Sequence, residues 1–419
     1  MQQTMRHGLW NLLALAGLLL AGVSPAAAQK VVNTIVLSEG LRGVAVNSAT
    51  NRLYVVNSPS GTVTVLDGNN NYLYLDTITV GDHPEGIAVD EFANRIYVTN
   101  TRDNTVSVID GSNDALLATV GVGQFPVGVA VDWKTQTAYV TNAMDATVSV
   151  IDSSFTLVDT IPVGQFPVGV AVDVFADLLY VTDYGSNTIA IMDTKTDQVT
   201  GAIAPGTGPL GVTIGLFENP YFVISAANSV LALYANSGFI LANIAVGQMP
   251  MFIARNRLNE RMFVTNFGDD TVSVLDGVTN KNVATVKVAP GPLYVASNDT
   301  TGRTYVTHNS IVTVIEDLSP QTPIVLKAAD QSRAQVTVRW QDSCPECPYA
   351  VERATALGGF IQIGTTEPHH HVFQDRDVQP DTTYYYRVRA FHTTEAGEVL
   401  YSGYSDIITA TTPPVRGAR

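Results

Sequence analysis

The chain repeats one short strand-like motif seven times at almost constant spacing. Each copy is an aromatic residue, two β-forming residues and a short polar residue, and the copies begin 41 to 43 residues apart. They start at Tyr54, Tyr97, Tyr139, Tyr180, Phe222, Phe263 and Tyr305. A repeat of about 42 residues with four short strands per unit is typical of a β-propeller blade. The sequence therefore predicts an all-β fold containing a seven-bladed β-propeller.

A complete repeat contains four segments with the composition of short strands. In the unit from Pro84 to Gly123 these are residues 86–89, 95–100, 105–110 and 117–120, separated by turn-forming residues. The fifth unit, around Phe222, is degraded in its motif, so six blades with an irregular insertion is the alternative. We expect a shortened hairpin there and a blade that survives.

The last repeat stops after three strands, while an extra strand-like segment precedes the first repeat. Residues 31–37 have the composition of an outer strand, and we expect them to complete the final blade. This pairing would join the two ends of a propeller spanning residues 29–316. It would also remove a free sheet edge that otherwise invites association.

The first 28 residues have the features of a signal peptide. Arg6 and His7 precede an apolar stretch at residues 12–23, and three alanines at 26–28 supply a small-residue cleavage site. Twelve apolar residues are fewer than the roughly 20 needed to cross a bilayer, which disfavours the alternative of a membrane anchor. We expect an exported protein, secreted, periplasmic or on the cell surface, with no membrane insertion after signal cleavage.

The chain is acidic, with a formal net charge of −15. Such a field repels nucleic-acid backbones and anionic membrane surfaces. Nucleic acid is therefore excluded as an expected partner.

The repeats resemble a known family of propeller sequences. Tyr-Val-Thr-Asn occurs at 97–100 and 139–142, and Pro-Val-Gly-Val-Ala-Val-Asp at 126–132 and 167–173. These strings resemble the YVTN-family repeats of surface-layer-type proteins and are similar to NHL repeats. The resemblance implies an exported binding or scaffold module.

A different pattern begins after the last repeat. Residues 317–413 include a strand around Trp340 and a tyrosine-rich segment at 378–390, which together resemble a fibronectin type III domain. The resemblance implies a β-sandwich with Trp340 in its core and Tyr384 as its tyrosine corner. Residues 414–419 form a short tail.

Candidate binding residues lie beside the Gly-x-x-Pro corners that link one repeat to the next. Exposed glutamine, phenylalanine and methionine around the channel mouth suit a protein or a cell-envelope glycan. The alternative is that Phe125 and Phe166 pack between blades. The candidates are Asp82, His83, Glu85, Gln124, Phe125, Gln165, Phe166, Gln248 and Met249.

A second function class is a hydrolase or lyase of the lactonase-like propeller type. His83 and His308 are the histidines of the repeat region, and Glu85 is close to the first. A histidine and an acid converging on one pocket would supply acid–base chemistry. The sequence predicts no cofactor, and the non-enzymatic binding protein is the leading interpretation.

The chain has two cysteines, Cys344 and Cys347, in the loop after the Trp340 strand. In an exported protein a disulfide is the expected pairing. The alternative is a zinc site in which the two thiolates join His369 and His371.

Overall fold

The computed structural model describes residues 29–235, 238–317, 319–329, 331–341, 344, 346–355, 359–393, 397 and 399–414. The predicted signal peptide and residues 415–419 of the predicted tail lie outside this part of the chain. The described residues form strands and turns, with two short 3-10 turns at Leu216–Glu218 and Ser225–Ala227. They include no helix with the length and apolarity needed to span a bilayer.

Repeated four-stranded antiparallel sheets make up the described residues before 318. There are seven such sheets in this region, and six of them use four consecutive strands. The strand β1 (Gln29–Val36) comes first in the chain and belongs to the last sheet. The consecutive sheets are β2–β5 (Leu41–Asn47, Arg52–Asn57, Thr62–Asp67, Leu73–Thr79), β6–β9 (Pro84–Asp90, Arg95–Asn100, Thr105–Asp110, Ala115–Gly121), β10–β13 (Pro126–Asp132, Thr137–Asn142, Thr147–Ile151, Leu157–Pro162), β14–β17 (Pro167–Asp173, Leu178–Asp183, Thr188–Asp193, Gln198–Ile203), β18–β21 (Pro209–Ile214, Pro220–Ile224, Ser229–Leu233, Ile240–Ala245) and β22–β25 (Pro250–Asn256, Arg261–Asn266, Thr271–Asp276, Lys281–Lys287).

The final sheet combines the two ends of the repeat region. It contains β26 (Val295–Ser297), β27 (Arg303–Thr307) and β28 (Ile311–Asp317), and β1 pairs antiparallel with β28. The register sets Val36 opposite Ile311 and Gln29 opposite Asp317. This is where the sequence analysis expects the closing strand, although β1 begins two residues earlier than the predicted segment.

The first strands of neighbouring sheets lie side by side and form a closed ring. Contacts run from β2 to β6, β10, β14, β18, β22 and β26 in turn, and β26 also contacts β2. The fifth repeat contributes the complete sheet β18–β21, with a 3-10 turn replacing one hairpin. Repeated four-stranded sheets around a central channel are typical of a β-propeller.

The repeated motif acts mainly at the contact between sheets. Tyr97 is fully buried and packs with Ala138 and Val140 of the following sheet. The Thr99 hydroxyl donates a hydrogen bond to the Val127 carbonyl of that sheet at 2.9 Å. The aromatic residue and the threonine of the motif thus join one sheet to the next.

Glycine is required where two of these first strands approach each other. A Cβ added to Gly86 would lie 2.1 Å from the carbonyl oxygen of Val127, and one added to Gly169 would lie 2.1 Å from that of Leu210. The neighbouring backbone leaves no room for a side chain at these positions.

The remaining strands form two sheets packed on a common core. One sheet has the order β29–β30–β33, and the other has the order β32–β31–β34–β35 with β36 paired to β34. Trp340 lies in this core, and the Tyr384 hydroxyl accepts a hydrogen bond from the Gln379 backbone N–H at 2.8 Å. The strands are β29 (Ile324–Ala329), β30 (Val336–Gln341), β31 (Tyr349–Ala354), β32 (Ile361–Thr366), β33 (Val372–Asp375), β34 (Thr383–Thr393), β35 (Val399–Tyr401) and β36 (Ile408–Thr411).

A buried ionic cluster lies where the repeat region meets the segment that follows it. Arg261 forms ion pairs with Asp276 and Asp317, and all three side chains are almost fully buried. The Thr322 hydroxyl donates to Asp276 at 2.5 Å, so the cluster includes the start of the C-terminal region. The position of Thr322 relative to the preceding sheets is therefore fixed by a charged group as well as by packing.

Candidate functional site

We call the end of the channel formed by the Gly-x-x-Pro corners and the hairpins beside them the proline face. Backbone hydrogen bonds join the two sets of turns, including Thr101 N–H to the His83 carbonyl and Tyr184 N–H to the Phe166 carbonyl. The backbone N–H groups of Gln124, Gln165 and Gln248 donate to Asp145, Ser186 and Asp269. These bonds hold the corners rigidly and leave the three glutamine side chains exposed.

The residue before the proline has left-handed backbone at each of six corners. The φ angles are 50° at His83, 56° at Phe125, 52° at Phe166 and 48° at Met249. Gly208 and Gly291 fill the same position at two further corners, and Gly40 fills it at the seventh corner, where Leu41 replaces the proline; all three have positive φ. The backbone bonding is the same in both groups, because Asn228 accepts from Met249 N–H as Asn187 accepts from Gly208 N–H.

The side chains at these corners differ in exposure. Phe125 packs against Val127 and Val168, which agrees with the packing alternative for this residue. Phe166 and Met249 remain 42% and 53% exposed.

Three further apolar side chains lie on the adjoining hairpins. The sequence analysis did not include them among the candidates. Met144, Tyr184 and Phe267 are all exposed, and the Tyr184 ring meets the Phe166 ring edge-on at 6.4 Å between centroids. Each follows the motif asparagine or aspartate by one or two positions. This offset from the motif could have identified them in the sequence.

His83 and Asp82 form a local pair on the outer rim. The His83 Nδ1 lies 2.6 Å from an Asp82 carboxylate oxygen. This hydrogen bond lowers the pKa of Asp82. Neither residue lines a cavity of the channel.

Glu85 instead points into a half-buried polar cluster. The Tyr294 hydroxyl donates to Glu85 at 2.8 Å, and Arg42 Nε lies 3.3 Å from the other carboxylate oxygen. Burial raises the pKa of Glu85, against the opposing hydrogen bond from Tyr294 and charge of Arg42. Tyr294 also stacks on Phe252 with 4.1 Å between ring centroids, so these side chains narrow the channel.

His308 has a structural position within its own sheet. Its Nε2 lies 2.9 Å from the Thr313 hydroxyl and its Nδ1 lies 3.1 Å from the Pro290 carbonyl. In other repeats the motif asparagine makes the corresponding bond, as Asn142 does with Ser149. Burial lowers the pKa of His308. His308 is therefore a substitute for that asparagine and does not join His83 in one site.

The larger cavity of the channel lies at the end away from the proline corners. It has a volume of about 670 Å³ and is lined by the turns that follow the first strand of each sheet. We call this end the aromatic face, because Phe92, Trp133 and Phe175 line one side of it. A smaller cavity of about 180 Å³ lies among the glycines and Phe252 and Tyr294. The sequence analysis placed the mouth only at the proline face and missed this site.

Charged residues occupy the other side of the aromatic face. Arg255 is held by Glu260 through two hydrogen bonds of 2.8 Å, and Arg257 Nε lies 3.7 Å from Asp299. Burial raises the pKa of Asp299, against the charge and backbone bond of Arg257. Both arginines are thus matched by carboxylates of the protein itself.

Cys344 and Cys347 form the predicted disulfide. With both sulfur atoms bonded to each other, the zinc alternative has no thiolate ligands in this state. His369 is exposed beside Glu346, with 3.6 Å between Nε2 and Oε1, and the His371 carbonyl accepts from Trp340 N–H. Within the described residues, no group of three or more His, Cys, Asp or Glu is arranged to hold a metal ion.

The comparisons with known proteins support the fold. No protein-family model and no curated protein matches the chain. Among solved structures the chain is similar to hydrazine synthase of Kuenenia stuttgartiensis, a β-propeller protein, with a TM-score of 0.60 and 19% sequence identity. The similarity covers 67% of this chain and 96% of that chain. At this level of identity the likeness shows a shared β-propeller fold and nothing about activity.

Proposed function

We propose that this chain is an exported, non-enzymatic binding protein that holds a protein partner on its proline face. The observation that carries the proposal is the set of bulky side chains at corners whose backbone suits glycine. A left-handed conformation costs about 1–2 kcal/mol for a residue with a Cβ. The three glycine corners indicate that the fold itself does not need a side chain here. Backbone strain retained at an exposed position is a sign of function.

The character of the exposed side chains favours a protein partner. Phe166, Met249, Met144, Tyr184 and Phe267 all belong to residue types enriched at protein interfaces. None of them lines either cavity of the channel, so they offer an open surface rather than an enclosing pocket. A partner of protein size would cover several corners at once.

The proposed architecture is a seven-bladed YVTN-type propeller over residues 29–316 followed by a fibronectin type III domain over 317–413. Seven four-stranded sheets support the first part. The two packed sheets and the hydrogen bond of Tyr384 support the second. The C-terminal domain would act as a spacer or second contact.

Export is part of the proposal and rests on two features. The first 28 residues have the sequence of a signal peptide. The disulfide between Cys344 and Cys347 is compatible with an oxidising compartment outside the cytoplasm.

The residues of the lactonase-like hydrolase alternative have separate partners. This alternative required His83 and an acid at one channel pocket. His83 instead pairs with Asp82 on the rim, and Glu85 is engaged by Tyr294 and Arg42.

The test uses substitutions that relieve the backbone while removing the side chain. Phe166→Gly and Met249→Gly should leave the unfolding temperature unchanged or higher, because glycine accepts positive φ. The same double variant should lose the proteins that the wild-type chain retains when immobilised and exposed to the envelope fraction of its source cells.

Leu117→Ala is the matched control, since Leu117 has similar exposure on the outer strand β9. It should retain the same proteins as the wild type. Equal retention by the double glycine variant, or loss in the Leu117 control as well, would refute a partner site on the proline face. Retention of a glycan in place of a protein would also refute it.

A further inference from the structure

We infer that the aromatic face is a second binding site, separate from the proline face, and that it takes an uncharged oligosaccharide. The cavity there has a volume of about 670 Å³, which falls within the usual range for ligand sites. It joins an aromatic wall and a polar wall around one opening. Nothing in the proposed function uses it.

The aromatic wall is built from three consecutive repeats. The Phe92 and Trp133 rings stack at 4.6 Å between centroids, and the Phe175 ring meets Trp133 edge-on at 6.3 Å. Phe92 and Phe175 are 76% and 67% exposed, so packing within the protein does not account for them. Aromatic faces of this kind bind the C–H surface of a sugar ring through dispersion and hydrophobic contact.

The turns that carry these rings are held by hydrogen bonds to the preceding aspartates. The Phe92 backbone N–H donates to the Asp90 carboxylate at 3.0 Å, and the Phe175 N–H donates to Asp173 at 3.0 Å. A platform held in place before the ligand arrives reduces the entropy lost on binding.

The polar wall is equally fixed. Glu91 accepts a hydrogen bond from the Ser48 backbone N–H at 2.6 Å, and Asp299 accepts one from the Arg257 N–H at 2.8 Å. The Ser48 hydroxyl accepts a hydrogen bond from the Asp299 backbone N–H at 3.1 Å. Carboxylates oriented in this way are suited to hydrogen bonds from the hydroxyl groups at the edge of a sugar ring.

The charges of the site disfavour anionic ligands. Asp90, Glu91, Glu218 and Asp299 line the cavity together with Arg255 and Arg257, so its formal balance is negative and repels anions.

A ligand cation would meet a site that the protein already fills. The Lys134 ammonium lies 4.3 Å from the centre of the Phe175 ring and donates to the Val174 carbonyl at 2.6 Å. The favourable cation–π position on this wall is therefore taken by the protein's own lysine. An uncharged, hydroxyl-rich ring remains as the class that fits both walls.

Tryptophan fluorescence gives a direct test on the full mature chain. Outside the predicted signal peptide the tryptophans are Trp133 and Trp340, and Trp340 is 1% exposed. Acrylamide should therefore quench Trp133 selectively. The probes are short oligosaccharides of glucose, mannose, xylose and N-acetylglucosamine, with hyaluronan and polygalacturonate fragments as the anionic set.

We expect at least one uncharged oligosaccharide to shift the Trp133 emission and protect it from acrylamide. Phe92→Ala with Phe175→Ala should weaken that binding about tenfold or more. Ala171→Tyr, which fills the cavity from the channel wall, should also abolish it, and Leu117→Ala should bind as the wild type. The Phe166→Gly and Met249→Gly variant should bind normally, which separates this site from the proline face.

Three results would overturn the inference. The first is that only the anionic saccharides bind, and the second is that none of the uncharged set binds. The third is that binding is unchanged in both the double alanine variant and the Ala171→Tyr variant. Far-ultraviolet circular dichroism of each variant establishes that a loss of binding is not a loss of fold.

Discussion

Asp183 accepts a hydrogen bond from the Thr188 hydroxyl at 3.1 Å, at the position where neighbouring repeats carry asparagine. In the preceding repeat Asn142 donates to both Thr147 and Ser149. Asp183 has no second donor of this kind, and its other carboxylate oxygen is buried without a hydrogen-bond partner among the described residues. Burial raises the pKa of Asp183 to about 6.

Asp183→Asn should therefore stabilise the protein at neutral pH. The pKa in the folded state lies above the unfolded value of about 3.9, so the folded state holds the extra proton between these values. The stabilising contribution of the Asp183 carboxyl group is fully present below about pH 4 and is lost as the pH rises through about 6. We expect the variant to gain about 2 kcal/mol at pH 7.5 and much less at pH 4.

Urea unfolding at the two pH values measures this difference. Asp159→Asn is the control, because it removes an exposed carboxylate from strand β13 and should change the free energy of unfolding by about 0.5 kcal/mol or less. A gain in the Asp183 variant that is equal at both pH values would contradict the assignment.

The hydrogen bonds of the Thr141 hydroxyl should make a measurable contribution to the free energy of unfolding. It accepts from the Gly128 N–H at 2.8 Å and donates to the Val168 carbonyl of the next sheet at 2.9 Å, in a fully buried position. Thr141→Val keeps the shape and leaves both groups unpaired, which should cost about 1–3 kcal/mol.

Thr141→Ser is the companion variant, because it retains the hydroxyl and removes a methyl group. Thermal unfolding should place it closer to the wild type than Thr141→Val. If the valine variant were the more stable of the two, the hydroxyl would not be the important group.

Arg261→Met should strongly destabilise the junction. It would leave the buried carboxylates of Asp276 and Asp317 without their cation, and breaking such a pair costs about 3–5 kcal/mol. Burial raises the pKa of Asp276, but Arg261 and the hydrogen bond from Thr322 outweigh this and hold the pKa below its usual value. The loss should therefore be largest at neutral pH and shrink in acid, as Asp276 becomes protonated.

Arg257→Met is the surface counterpart, since Arg257 is 67% exposed beside Asp299. It should change the free energy of unfolding by about 1 kcal/mol or less. Comparable losses in the two variants would argue against a special role for the buried cluster.

The Cys344–Cys347 disulfide should be complete in the purified protein. Denaturation without reductant should expose no thiol to an alkylating reagent, and denaturation with reductant should expose two. Closing so short a loop should contribute about 2 kcal/mol to the stability of the C-terminal region. Labelling of two thiols without reductant that zinc suppresses would instead favour the metal alternative.

The strands of this protein could be predicted from sequence because the same pattern recurs with small variations. In the unit beginning at Pro84 the strands β7 and β8 have the predicted bounds, since alternation and turn residues mark them clearly. The strand β1 could be expected because the last repeat lacked an outer strand and an extra strand-like segment preceded the first repeat.

The candidate sites were less accessible to sequence reasoning. The turns after the first strands vary from repeat to repeat, so Phe92, Trp133 and Phe175 carried no periodic signal strong enough to indicate a shared wall. The separation of Glu85 from His83 also depends on Tyr294, which is 209 residues distant in the chain. Such long-range partners follow from the closed ring and not from local composition.

The pairing of β1 with β28 has a consequence for how the chain acquires its shape. Gln29 lies opposite Asp317, so the partner of the first strand is made after nearly the whole repeat region. A nascent chain emerging amino end first must keep β1 uncommitted until then, and contacts so distant in sequence are slow to form. The last step of assembly therefore waits for the final repeat, and every incomplete chain remains an open, unsealed intermediate.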